Sequence, residues 1–525
     1  MNKKNNVIKS IISLIISQVI VKIFGLLYKL YLANKSGFGD AGNAIYNAGY
    51  QIYALLLTIS SIGVPSAMAK IIAEENRGEK CKLEVLKSAL ILFSIIGGLG
   101  SIALFILSDN IANNLLAIPE AKLSIRALAP AIFNVCIISV LRGFYNGVNK
   151  ITITAKSQTI EQMIKTIVTI IFVEISYIIT ISNTTKMAAF ANLATTVATL
   201  GSMMYLYKKL NISHTRVKPK ITKMLKILYI SFPISISSIL ASLNRNIDSI
   251  TIVRYLKNYI GEEMAKIQYG ILSGKIDVIA ALPVSFIIAI TTTIIPIIAQ
   301  KNKSGDYIGI SKIVRKYLKY TFCIVIPSST YLFIFSKEVL DLLFNNEDGF
   351  LFLQISSITV IFIALEQIIN CVLQGVGKIF VPAFALGTGV FIKCILNVTF
   401  LNIPQSKFAI TGVSGCCFAT LICHIVAFAI VLKSLEKKLQ IKLKIFRFLL
   451  KPMIASCIMA LTSRYAYFFL CGILIEKIAI ILSSLVAVIV YIVLSFTLRI
   501  TNKEDISCIC IQNSTKKWWK KKDFV

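Results

Sequence analysis

LIEKIAIILSSLVAVIVYIVLSFTL, residues 474–498, is the stretch on which the fold turns. Its only charges, Glu476 and Lys477, stand at its start, and about 20 such residues at 1.5 Å rise span the roughly 30 Å hydrocarbon core of a bilayer. Similar apolar blocks, separated by short polar loops, recur at roughly 8–33, 49–72, 87–108, 125–147, 158–181, 187–207, 225–253, 276–299, 317–336, 350–373, 379–401, 409–433 and 449–470. Composition agrees: 525 residues with 56% hydrophobic, 15% charged and a mean hydropathy of +0.78 exclude a water-soluble globular class. With lipid as solvent, every backbone amide must be satisfied inside its own segment. The expected fold is therefore an all-α integral membrane protein with about fourteen transmembrane helices. Lys22 and Lys29 interrupt the first segment and no small-residue cleavage site precedes the polar loop Asn34 to Asn43, so that segment is expected to be retained.

Lysine and arginine concentrate in alternate loops. Lys70, Arg77, Lys80, Lys82 and Lys87 follow the second segment, and Lys208, Lys209, Arg216, Lys218, Lys220, Lys223 and Lys226 follow the sixth. The loops after the eighth and twelfth are equally basic, whereas Lys337, Glu338, Asp341, Glu347 and Asp348 after the ninth are mixed. The basic loops are expected in the cytoplasm, which places both termini inside a bacterial plasma membrane. The net charge of +32 follows from this topology and does not call for nucleic acid. The tail Lys516 to Lys522, with Trp518 and Trp519, suits the anionic headgroup layer, or else stays solvated.

Catalytic chemistry has little raw material. The histidines are His214 and His424, and the cysteine pairs Cys416, Cys417 and Cys508, Cys510 have no second set at metal spacing. Gly270-Ile-Leu-Ser-Gly274-Lys275 is one residue short of a phosphate loop. No metal, cofactor or catalytic residue is expected, and the chain is not expected to be an enzyme.

An internal repeat is more informative. Asn146-Gly-Val-Asn-Lys150 matches Gln374-Gly-Val-Gly-Lys378 at an offset of 228, continuing through Lys165 with Lys393, and Pro65 matches Pro296 at nearly the same spacing. The expectation is two pseudo-symmetric six-helix lobes, 1–215 and 216–445, then two further helices in 446–500 and a basic tail, 501–525. Parallel repeats of this kind occur in alternating-access transporters, with the substrate site near the bilayer midplane.

Ser61-Ile-Gly-Val-Pro65-Ser-Ala-Met-Ala-Lys70, Arg126-Ala-Leu-Ala-Pro130, Leu141-Arg-Gly143-Phe-Tyr-Asn-Gly147, Ser157-Gln-Thr-Ile-Glu161-Gln162, Tyr269-Gly-Ile-Leu-Ser-Gly274 and Leu373-Gln-Gly-Val-Gly-Lys378 resemble the stage V sporulation protein B and MurJ-like branch of the multidrug/oligosaccharidyl-lipid/polysaccharide (MOP) exporter superfamily. The resemblance covers about residues 10–450. It implies a fourteen-helix, two-lobed fold related to the multidrug (MATE) exporters, and a role in flipping lipid-linked cell-wall or polysaccharide precursors to the outer leaflet. Residues 49–69 carry no cation, which fits the sporulation-type branch better than a lipid II carrier.

A polyprenyl pyrophosphate glycan must take its anionic headgroup through hydrocarbon, so cations are needed at membrane depth. The candidates are Lys22 and Lys29, seven apart on one face of the first helix with Gly25 between them, and Arg142, Lys165, Arg245 and Lys393. Lysines can instead snorkel to an interface, and Arg245 can pair with Asp248 three residues on. Asp248, Glu161, Glu174 and Glu366 are candidate gate or ion-coupling acids, or neutralise nearby lysines. The expected partners are a lipid-linked oligosaccharide and membrane lipids, with envelope-synthesis enzymes as further candidates. A multidrug antiporter of the same fold would need an acid-lined cavity, and a non-transporting scaffold would need no charges at mid-depth.

Overall fold

The computed structural model describes residues 20–58, 63–74, 78–148, 150–179, 183–210, 218–291, 294–378, 380–403, 411–440, 443 and 446–498. Residues 8–19 of the first segment, His214, Cys508, Cys510 and the tail from Lys516 to Lys522 lie outside them. No strand occurs among the described residues. Ten of the described helices are long and apolar enough to cross a membrane, or up to eleven when one bent pair counts as a single span. The chain is a multi-pass helical membrane protein.

In chain order the helices are α1 (20–34), α2 (Gly39–Thr58), α3 (Val64–Glu74), α4 (Glu79–Asn110), α5 (Ala121–Gly147), α6 (Ile151–Ile179), α7 (Thr184–Lys208), α8 (Ile221–Ile260) and α9 (Glu262–Ile271). They continue as α10 (Asp277–Thr291), α11 (Ile294–Lys303), α12 (Tyr307–Ile334), α13 (Ser336–Phe344), α14 (Phe350–Gly375), α15 (Phe380–Asn402), α16 (Gly412–Leu439), α17 (Phe446–Cys471) and α18 (Glu476–Thr497).

Two helix limits differ from expectation in ways that matter. The second segment, expected over 49–72, begins ten residues earlier, with α2 starting at Gly39; α3 carries its far end, and residues 59–62 lie outside the described residues. The eighth segment, expected over 276–299, starts much earlier. Gly261 at φ +83 turns the chain out of α8, α9 begins at Glu262, and it passes through a wide π-type turn, Leu272–Ile276, into α10. Residues 40, 43 and 275 are therefore inside helices rather than in loops, and residue 277 lies well within a helical run rather than at the start of a span.

Two compact units are formed, Met1–Ala281 with Lys378–Val431, and Leu282–Gly377 with Leu432–Val525. In the first, α5 packs on α3, α4 and α7, α6 on α7, and α15 on α8. In the second, α12 packs on α14 and α17, α11 on α14, and α17 on α18, while α12 and α13 meet at 81°. A glycine seam recurs in both. A Cβ at Gly147 of α5 would fall 2.6 Å from Cβ of Ile72, and one at Gly375 of α14 would fall 2.7 Å from Cγ2 of Ile298. These glycines are the matched positions of the 228-residue repeat, so the repeat marks a close helix approach in each unit.

Candidate anion site

The first unit gathers cations that no carboxylate neutralises at bonding distance. Lys22 on α1 is exposed and within electrostatic reach of Arg245 on α8 and of Lys29. Lys29, one heptad on, is half-buried and senses Lys165, Asp277 and Arg245. None of Lys22, Lys29 and Arg245 forms an ion pair among the described residues. Gly25 is not a forced close approach, because a Cβ there would meet Gln162 Nε2 at an ordinary 3.5 Å.

Lys165 of α6 is held differently. Its side chain is buried, with Nζ 4.1 Å from the ring centroid of Tyr50 and 5.2 Å from that of Tyr28. Tyr46 stacks on Tyr50 at 5.8 Å and its hydroxyl lies 3.5 Å from that of Tyr28. Aromatic faces attract an ammonium through their quadrupole and carry no net charge. The cage therefore stabilises Lys165 while leaving its positive charge uncompensated.

Asp248 does not pair with Arg245. It accepts from Lys393 Nζ at 2.6 Å and from Asn397 Nδ2 at 2.9 Å, while Lys393 also donates to the Asn244 carbonyl at 2.7 Å. Lys393 is 1% exposed, so this pair locks α15 to α8 and leaves Arg245 exposed. His424 of α16 abuts the same network, with Nε2 3.1 Å from Asn244 Nδ2.

The remaining candidates are bonded elsewhere. Arg142 of α5 donates to Glu161 at 2.6 Å, to Ser157 at 2.9 Å and to Ser202 at 3.1 Å, joining α5, α6 and α7. Glu174 accepts from Lys35 and from Tyr31, both at 2.6 Å. Glu366, in the second unit, is buried and accepts from Asn370 at 3.2 Å. The structure thus brings Lys22, Lys29, Lys165 and Arg245 into one electrostatic cluster and sets Arg142, Lys393 and their acids into helix-locking pairs.

Three charged residues belong to this region that sequence reasoning did not single out. Lys275 donates to Asp40 at 2.8 Å, a pair in which the lysine is 2% exposed. Gly270 and Gly274 make it possible: Cβ atoms there would fall 1.9 Å from the Asp40 carbonyl oxygen and 2.6 Å from Asn43 Cγ. The stretch that resembled a phosphate loop is a tight helix crossing. Asp277, just past the π-type turn, is exposed within the cation cluster. On the same unit, Leu240 of α8 and Phe384, Gly387 and Phe391 of α15 line an apolar groove of about 520 Å³.

Many long apolar helices with charged side chains set among them define the class, a polytopic membrane protein. The chain matches the family described as "Polysaccharide biosynthesis protein" over residues 7–302, more than half its length, and belongs to that family. A second family, MatE, matches residues 233–399. Three proteins of Bacillus subtilis (strain 168) are similar. The "Uncharacterized membrane protein YabM" is 26% identical over 417 residues, 78% of this chain and 76% of that protein. The "Lipid II flippase MurJ" is 24% identical over 422 residues, 74% of this chain and 76% of that protein, and "Stage V sporulation protein B" is 20% identical over 370, 67% and 69%. The solved structure "Lipid II flippase MurJ, inward closed conformation" superposes with a TM-score of 0.74 at 16% identity, covering 93% of this chain and 99% of that one, a likeness of fold.

Proposed function

We propose that the protein flips a lipid-linked anionic glycan precursor, a polyprenyl pyrophosphate sugar, from the inner to the outer leaflet. The observation that carries this reading is the cluster of Lys22, Lys29, Lys165 and Arg245, four cations that no carboxylate pairs at bonding distance among the described residues, with Lys165 on a helix of membrane-spanning character. Gathering like charges away from bulk water is unfavourable unless an anion joins them, and a pyrophosphate is that anion. The apolar groove of α8 and α15 suits the polyprenyl chain, which never has to leave an apolar setting. A cationic drug would meet repulsion here, which disfavours the antiporter reading despite the MatE match.

In this reading residues 1–215 and 216–445 form two lobes that alternate access, helices of 446–500 are appended, and both termini are cytoplasmic. The basic loops support that orientation. With the interior negative, each negative charge moved outward gains roughly 2.3 kcal/mol per 100 mV, so membrane potential can drive export without nucleotide hydrolysis. Lipid II or the cortex precursor of a spore is the substrate to test first, given the relatives MurJ and stage V sporulation protein B. Envelope-synthesis enzymes are the protein partners this role implies.

The test is outward movement of lipid II in cells depleted of their own flippase, with Lys22→Ala and Lys29→Ala variants at matched membrane levels. Movement restored by the natural chain and lost in both variants is expected. No movement from a well-inserted chain would redirect the search to other polyprenyl-linked glycans, and undiminished movement by the variants would remove the cationic site.

A further inference from the structure

A site built for an anion is expected to exclude acids, yet one carboxylate stands in it. Asp277 is exposed, forms no ion pair and no side-chain hydrogen bond among the described residues, and lies within electrostatic reach of Arg245, Lys393, Lys29 and Asp248. The neighbouring acids are committed. Asp248 is bonded by Lys393 and Asn397, and Asp40 by Lys275, two residues before Asp277. Asp277 is set apart from that second pair by the π-type turn Leu272–Ile276, which takes in Lys275 and ends just before it. Widened turns of this kind re-aim side chains and recur at functional positions.

An alternating carrier has to return empty. With Lys22, Lys29, Lys165 and Arg245 unsatisfied, the returning site would present bare positive charge to a low-dielectric environment, and inside-negative potential would act on it. One carboxylate within the site lowers that charge on the return step without a co-transported ion, and a pyrophosphate with more negative charge outcompetes it on the outward step.

We propose that Asp277 is the resident counter-ion of the empty site, offsetting Lys29 and Arg245 until the pyrophosphate of the substrate displaces it. Asp277 is then a positioning residue of the transport cycle rather than a contact to the glycan. The inference rests on the reading of the cluster as a pyrophosphate site.

The test uses the full chain in lipid vesicles and the nearly isosteric Asp277→Asn. Equilibrium binding of a long-chain polyprenyl pyrophosphate, with the uncharged polyprenol as control, is measured beside the steady-state translocation rate at saturation. Asp277→Asn is expected to bind the pyrophosphate about tenfold tighter and to translocate about tenfold more slowly because release and return are hindered. Polyprenol binding stays unchanged, and Asp277→Glu restores both properties. A variant with unchanged affinity and rate overturns the counter-ion role, as does one in which affinity falls with rate and glutamate does not rescue. If the natural chain itself neither binds nor moves polyprenyl pyrophosphate, the underlying reading of the site fails as well, which is a separate and recognisable result.

Discussion

Lys165 and Lys393 occupy matched positions in the internal repeat and are both buried, at 5% and 1% exposure, yet they are held by opposite means. Lys165 lies among the rings of Tyr28, Tyr46 and Tyr50, whereas Lys393 is bonded to a carboxylate, with a backbone carbonyl completing its shell. A π-face stabilises an ammonium without cancelling its charge, while a carboxylate cancels it. One arm of the repeat therefore contributes field to the candidate anion site, and the other contributes a fastening between α8 and α15.

The sharpest way to break this contrast is to remove each charge with a side chain of similar length. Lys393→Met strands Asp248 in the interior, and an unpaired buried partner costs about 3–5 kcal/mol. Thermal unfolding of the purified protein should show that loss, and Lys393→Met combined with Asp248→Asn should recover most of it. A single variant as stable as the natural chain would mean that the pair fastens nothing.

Lys165→Met leaves no stranded acid, only an apolar chain among aromatic rings, so its unfolding temperature should stay near that of the natural protein. Translocation should fall at least about tenfold, equivalent to ~1.4 kcal/mol of lost anion attraction, with Lys165→Arg retaining most activity. If Lys165→Met unfolds the protein instead, both lysines are fastenings and the comparison collapses.

How far these roles were legible in the sequence follows from the same physics. Span length and apolarity give the helical membrane class directly, because a bilayer imposes one length and one backbone solution. The repeat was visible at Gly147 and Gly375, since a glycine seam admits no substitute. The cations could be named but not sorted. Nothing in the spacing of Lys165 distinguishes a tyrosine cage from a carboxylate, and Arg245 and Asp248 at three apart resembled a pair until Lys393 arrived from 145 residues away. Asp277 and Lys275 were missed because α9 is too polar to read as membrane helix. Its glutamates and Lys266 set the apparent start of the span at residue 276, which left Lys275 in an apparent loop and Asp277 at the very edge of the span. Asp40 was missed likewise, inside an apparent loop that is the first turn of α2.

A pair in water completes the comparison. Asp306 at the start of α12 accepts the Gly309 N–H at 2.7 Å and is bonded by Lys301, the same chemistry as Asp248 with Lys393 but outside the membrane-spanning segments. The Lys301 ammonium first, and the Gly309 N–H second, hold the Asp306 carboxyl below the usual carboxylate range. A folded-state value below the unfolded one means that the contribution is present above the ordinary carboxylate pKa and fades as pH falls through the depressed value. Asp306→Asn keeps an acceptor for Gly309 and loses only charge, so it should lower the unfolding temperature slightly at neutral pH. That difference should shrink in 1 M salt, where the Debye length is about 3 Å, and vanish in acid below the depressed value. The deficit of Lys393→Met should hardly respond to salt, because the ions cannot reach it. Equal salt responses in the two variants would show that water penetrates between α8 and α15, and that the fastening of Lys393 is no drier than a surface cap.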